Sequence, residues 1–100
     1  MKGVLIGACH KRGEFTDDNG RNVPYDNLVL YLQKPIESSN LNDRYCEGVG
    51  FTTVEAKTSW DNFPGVFNMA VTSLGELGDY VGTEVRYFFD DKKKLDSVIL

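Results

Sequence analysis

Residues 72–82 read TSLGELGDYVG, and this stretch decides the fold. Ser73 followed by Glu76 is a capping box, in which each side chain satisfies an orphan backbone N–H at a helix start. Leu74, Leu77 and Val81 recur on one face, and Gly82 supplies the stop. The spacing predicts a helix over Thr72–Val81. Gly75 and Gly78 weaken it, so tertiary packing has to hold it.

What flanks this helix is β-structure. On its C-terminal side, Val85, Tyr87 and Phe89 alternate with Glu84, Arg86 and Phe88, which predicts a strand. Asp90–Lys94 reads as a turn and Leu95–Leu100 as a last strand. On its N-terminal side, Tyr45–Lys57 reads as a strand with Val49, Phe51 and Thr53 on one face and Gly50, Thr52, Val54 and Ala56 on the other. Between them, Pro64-Gly65 forbids one continuous helix, and Trp60, Phe63 and Phe67 are spaced for a short helical turn.

The first third of the chain holds two more strands. The apolar run Val4–Ala8 and the run Leu28–Leu32 enclose a polar arm, residues 10–26. Val4, Ile6 and Ala8 alternate with Leu5, Gly7 and Cys9, and Leu28, Leu30 and Leu32 share a face opposite Val29 and Tyr31. Asp18-Asn19-Gly20 is a turn signal, because Asn and Gly accept positive φ, and it makes the arm a two-stranded ribbon with its tip at Asn19-Gly20. Glu37–Arg44 reads as a polar loop.

The predicted order is β-β-β-α-β-β, with the helix between the third and fourth strands. That is the order of the OB-fold, a five-stranded Greek-key β-barrel. An SH3-like barrel and a mixed α+β sheet are the competing readings. One hundred residues make a single domain over 1–100.

Composition narrows the function. Hydrophobic residues are 41% and charged residues 26%, which is globular rather than disordered. The net charge of −4 argues against indiscriminate nucleic-acid binding, but net charge does not say where charges lie. Lys2, Lys11 and Arg12 fall in an acid-free opening, and Lys92–Lys94 form a second basic run. Two cysteines, no apolar run long enough for a signal peptide and none near the ~20 residues of a membrane span predict a cytoplasmic protein with no membrane partner.

Catalysis finds little support. The one histidine, His10, adjoins Cys9, and neighbouring strand residues point to opposite faces, so no Cys–His pair forms. The expectation is a buried thiol and a surface imidazole. No metal-ligand spacing and no phosphate loop is present, so no cofactor, metal or small-molecule substrate is expected. Asp17-Asp18 and Asp90-Asp91 read as turn residues rather than as a nuclease's carboxylates.

Single-strand nucleic-acid binding fits better. It needs a positive groove and aromatic platforms for bases. In an OB-fold the binding face lies on strands two and three, between the loops joining strands 1–2 and 4–5. Both loops are basic here, with Lys11, Arg12 and Arg21 on the first and the run Lys92–Lys94, represented in the candidate set by Lys92, on the second. Phe15 and Tyr25 lie on the arm, Tyr31 on strand two, Phe51 on strand three, and Arg44 leads into strand three. These nine residues are the candidate DNA-binding set.

GACHKRGEF, then YDNLVLY, then the glycine-bearing Gly48-Val49-Gly50-Phe51, is similar to the small single-stranded DNA-binding proteins of filamentous phages and related mobile elements. The resemblance covers the first half of the chain. It implies a homodimeric OB-fold protein that coats single-stranded DNA during replication, with Lys11, Arg12, Phe15, Tyr25 and Tyr31 at the strand. The acidic pI of about 4.8 departs from a strongly basic coat protein and keeps a second reading open: an acidic phage or plasmid module that acts by binding a protein.

Overall fold

The computed structural model describes residues 1–41 and 43–100. The chain is mainly β. Among the described residues the strands are β1 (Lys2–Thr16), β2 (Asn22–Pro35), β3 (Ser39–Leu41), β4 (Arg44–Cys46), β5 (Phe51–Ser59), β6 (Glu84–Phe89) and β7 (Leu95–Ile99). Between β5 and β6 lie a 3-10 turn at Trp60–Asn62, α1 (Phe63–Val66) and α2 (Leu74–Gly78).

Five strands form one antiparallel sheet in the order β5-β2-β1-β6-β7, and β3 pairs with β4 as a separate small hairpin. The first three long strands lie side by side, and the next returns through the helical connection to lie beside the first. That is Greek-key order. Among the described residues no strand pairing joins the two edges, β5 and β7, so the sheet is not a closed barrel, although the two edge strands approach one another.

One face of the sheet is the core. Leu28, Leu30 and Leu32 of β2 are fully buried, each contributing about 1.5–3 kcal/mol by leaving water. Leu5, Ala56, Val85, Tyr87, Leu95 and Val98 complete the floor, and the connection covers it with Phe63, Val66, Phe67, Val71 and Leu77. The α2 cap forms as its sequence implies on one side: Ser73 Oγ accepts the Glu76 N–H at 3.2 Å. The Glu76 carboxylate takes the Thr72 hydroxyl at 2.9 Å. The helix is only Leu74–Gly78, and Val81 lies beyond it, half exposed. Gly82, at φ +93°, turns the chain into β6.

The arm is a two-stranded ribbon, paired from Gly7↔Tyr31 to Thr16↔Asn22. Its tip closes through Asp17, whose carboxylate accepts the Asn19 and Arg21 N–H groups. Three expectations change here. Glu37–Arg44 is not all loop, because Ser39–Leu41 pairs with Arg44–Cys46. The third long strand consequently starts at Phe51, not Tyr45. The simple alternation of residues 4–9 also fails. The ladder slips at a bulge between Leu5 and Gly7, so Leu5 and Ala8 share the core face while Val4, Gly7 and Cys9 share the other.

Candidate nucleic-acid interface

The bulge determines which arm residues look outward. From Gly7 onward, odd-numbered residues of β1 lie on the open face of the sheet. Cross-strand pairing sets Gly7 beside Tyr31, Cys9 beside Val29, Lys11 beside Asn27, Gly13 beside Tyr25 and Phe15 beside Val23. On the far side of β2, Asn27 pairs with Ser59, Val29 with Lys57, Tyr31 with Glu55 and Pro35 with Phe51. Residues paired across an antiparallel ladder share a face, so these rows form one surface.

A groove runs over that surface, lined by Lys11, Phe15, Tyr25, Asn27, Val29 and Lys57. A second groove is lined by Asn27, Lys57, Thr58, Ser59, Lys93 and Lys94. They share Asn27 and Lys57, so together they make one trough from the arm to the β6–β7 turn. Four lysines line it, although the chain as a whole is acidic.

The aromatic wall is at the arm end. The Phe15 and Tyr25 rings are 6.4 Å apart and tilted by 34°, and both are substantially exposed. Tyr25 can lie flat on the ribbon because residue 13 is glycine: a Cβ there would meet the Tyr25 hydroxyl at 2.6 Å. The Lys11 ammonium lies 5.9 Å from the centroid of the Tyr31 ring. The Tyr31 phenol raises the Lys11 pKa, with Cys9 and Glu55 adding to the effect, so this lysine stays charged. Val29, between the lysines, is 1% exposed although it faces away from the core. The stems of long side chains cover apolar ground in this way.

Of the nine residues in the candidate set, Lys11, Phe15, Tyr25 and Tyr31 come together here. Phe51 lies on the same face, 65% exposed, further along the β2–β5 edge. Arg12 lies on the opposite face of the ribbon, in register with Asp26. Arg21 is at the arm tip, and Arg44 is on the small β3–β4 hairpin. In the β6–β7 turn, Lys93 and Lys94 line the trough and Lys92 does not.

Asn27, Lys57, Lys93 and Lys94 lie outside that candidate set. For Lys57 the signal is present in the sequence, since alternation from Phe51 through Thr53 and Glu55 places it on the same face.

Comparison with known proteins adds no relative: no family model, no curated protein and no solved structure matches this chain.

Cys9 and His10 do point to opposite faces, but not as expected. Cys9 is the one on the open face, with Sγ 3.8 Å from the Tyr31 hydroxyl. His10 turns toward the core side, where its ring stacks on Trp60 at 3.7 Å with 5° between planes. Its Nε2 bonds Asp26 Oδ1. The reason is the bulge, which places residue 10 in register with buried Leu28. The acidic turns are explained locally: the Asp90 carboxylate accepts the N–H groups of Lys92 and Lys94, as Asp17 does at the arm tip.

Proposed function

We propose that this protein binds single-stranded DNA with little sequence preference, along the trough between the arm and the β6–β7 turn. The observation that carries the reading is the continuity of two grooves through Asn27 and Lys57, with aromatic rings at one end and paired lysines at the other. Exposed rings stack bases whatever their identity, and spaced ammonium groups track phosphates.

The proposal extends to the fold. The helical connection joining the third and fourth main strands, Greek-key order and the approach of edge strands β5 and β7 all support an OB-type barrel that is open along one seam. In such a barrel the trough lies between the 1–2 and 4–5 loops, where OB-folds hold single strands. The resemblance of GACHKRGEF and YDNLVLY to phage and mobile-element proteins suggests the setting, a cytoplasmic coat on replicating DNA.

The test is titration of a fluorescent oligo-dT at about 50 mM salt and again at higher salt. Binding that weakens steeply with salt supports the reading. No binding at the lower salt, or binding indifferent to salt, overturns it and favours a protein partner. A matched oligo-U separates DNA from RNA.

A further inference from the structure

The arm leaves a long strand edge open. β1 spans Lys2–Thr16, yet β6 pairs with it only at Lys2–Val4. Leu5 is held by the backbone of Gly82 and Thr83. From Ala8 to Thr16, no backbone hydrogen bond is made on the side away from β2 among the described residues. The phase of the ladder says which groups are free. The Asp17 N–H bonds the Arg21 carbonyl, so Asp17 faces β2. Residues that face a partner strand alternate, so His10, Arg12, Glu14 and Thr16 direct their N–H and C=O groups outward.

We propose that this edge is a dimer interface, in which β1 pairs antiparallel with β1 of a second copy about a two-fold axis at Gly13. Only certain registers satisfy the outward groups, and side-chain charge selects among them. With the axis at Arg12, arginine would oppose arginine. With the axis at Glu14, glutamate would oppose glutamate. With the axis at Gly13, each Arg12 opposes the Glu14 of the other copy, and each His10 opposes a Thr16. A two-fold axis produces the Arg12–Glu14 pair twice. Within one copy, neither residue makes an ion pair among the described residues, and both are exposed. Opposite charges directly across a ladder stabilise it, and like charges oppose it.

The open face fits the same register. Lys11 of each copy lies opposite Phe15 of the other, a cation beside an exposed ring. Two glycines meet at the axis, where side chains approach most closely, and each Tyr25 ring already covers its own Gly13. The length also fits. In this register the partner's arm tip ends beside Ala8, short of Leu5, where Gly82 and Thr83 occupy the edge. The two troughs then meet along one extended sheet. The interface does not depend on what the trough binds.

Sedimentation equilibrium of the full chain without nucleic acid tests it. The native protein is a dimer, Arg12→Glu and Glu14→Arg each weaken dimerisation about tenfold or more, and the double reversal Arg12→Glu/Glu14→Arg restores it. Circular dichroism confirms that each variant is folded. A monomeric native protein at tens of micromolar overturns the proposal. So does a dimer that tolerates both single reversals, or a folded double reversal that stays monomeric.

Discussion

The Tyr25 ring lies across Gly13, so closely that a Cβ on residue 13 would fall 2.6 Å from its hydroxyl and 2.8 Å from Cζ. A glycine inside a strand ordinarily weakens it. Here it provides the floor on which an aromatic platform rests.

Gly13→Ala therefore displaces the Tyr25 ring from the trough. Tyr25 is on an exposed arm and can swing outward, so the fold tolerates the change. The expected outcome is oligo-dT affinity reduced in the direction of Tyr25→Ala, whose loss of a stacked base is worth about 1–3 kcal/mol, with little change in Tm. Fluorescence titration and a thermal melt on the same sample check both halves.

The lysines of the trough make a separate prediction about salt. Every phosphate of a single strand that an ammonium group neutralises adds about 0.7 to the steepness of log K against log salt. Lys11→Ala, Lys57→Ala and Lys94→Ala each make the slope shallower by that amount, because each lines the trough. Lys92→Ala, outside it, leaves the slope unchanged. Titrations over a series of salt concentrations separate these variants.

Trp60 ties the arm to the core cover. It stacks on His10 at 3.7 Å and meets the Phe63 ring edge-on at 5.0 Å. Trp60→Ala removes both ring pairings and costs about 2–4 kcal/mol of stability, whereas His10→Ala removes only the stack and costs about 1 kcal/mol. Urea unfolding followed by circular dichroism measures both, since the chain has no second tryptophan to report by fluorescence.

Tyr87 makes the fold sensitive to alkali. It is 1% exposed, and burial first, then the charge of Glu37, raises its phenol above the ordinary value of 10.0. The folded state favours the neutral phenol, so this contribution is whole below about pH 10 and is lost as pH rises through the folded pKa. Tyr87→Phe cannot ionise and loses less stability between about pH 9 and 11 than the native protein. Urea midpoints across that range show the difference.

Local signals carried much of this architecture. The leucines of β2 alternate cleanly, Asp18-Asn19-Gly20 is a turn by its chemistry, and Ser73 caps a helix. What escaped was non-local or came from single-residue shifts. Nothing about Ile6 itself announces a bulge, yet the bulge reverses which face Ala8, Cys9 and His10 occupy. The β3–β4 hairpin is too short and polar to show periodicity. In the candidate site, the arm residues were legible because they share one ribbon. Lys93 and Lys94 were not separable from Lys92, because only the fold of the turn decides which lysine turns toward Lys57.

That one extra residue in β1 has a wider consequence. A bulge bends its strand and tightens the local twist. It sits between the body, where β6 holds Lys2–Val4, and the ribbon that carries Lys11, Phe15 and Tyr25. The ribbon's chemistry and its aim are thus written in different places. Two proteins sharing every arm residue, but differing in whether this insertion is present, would offer the same rings and charges at different angles to the body.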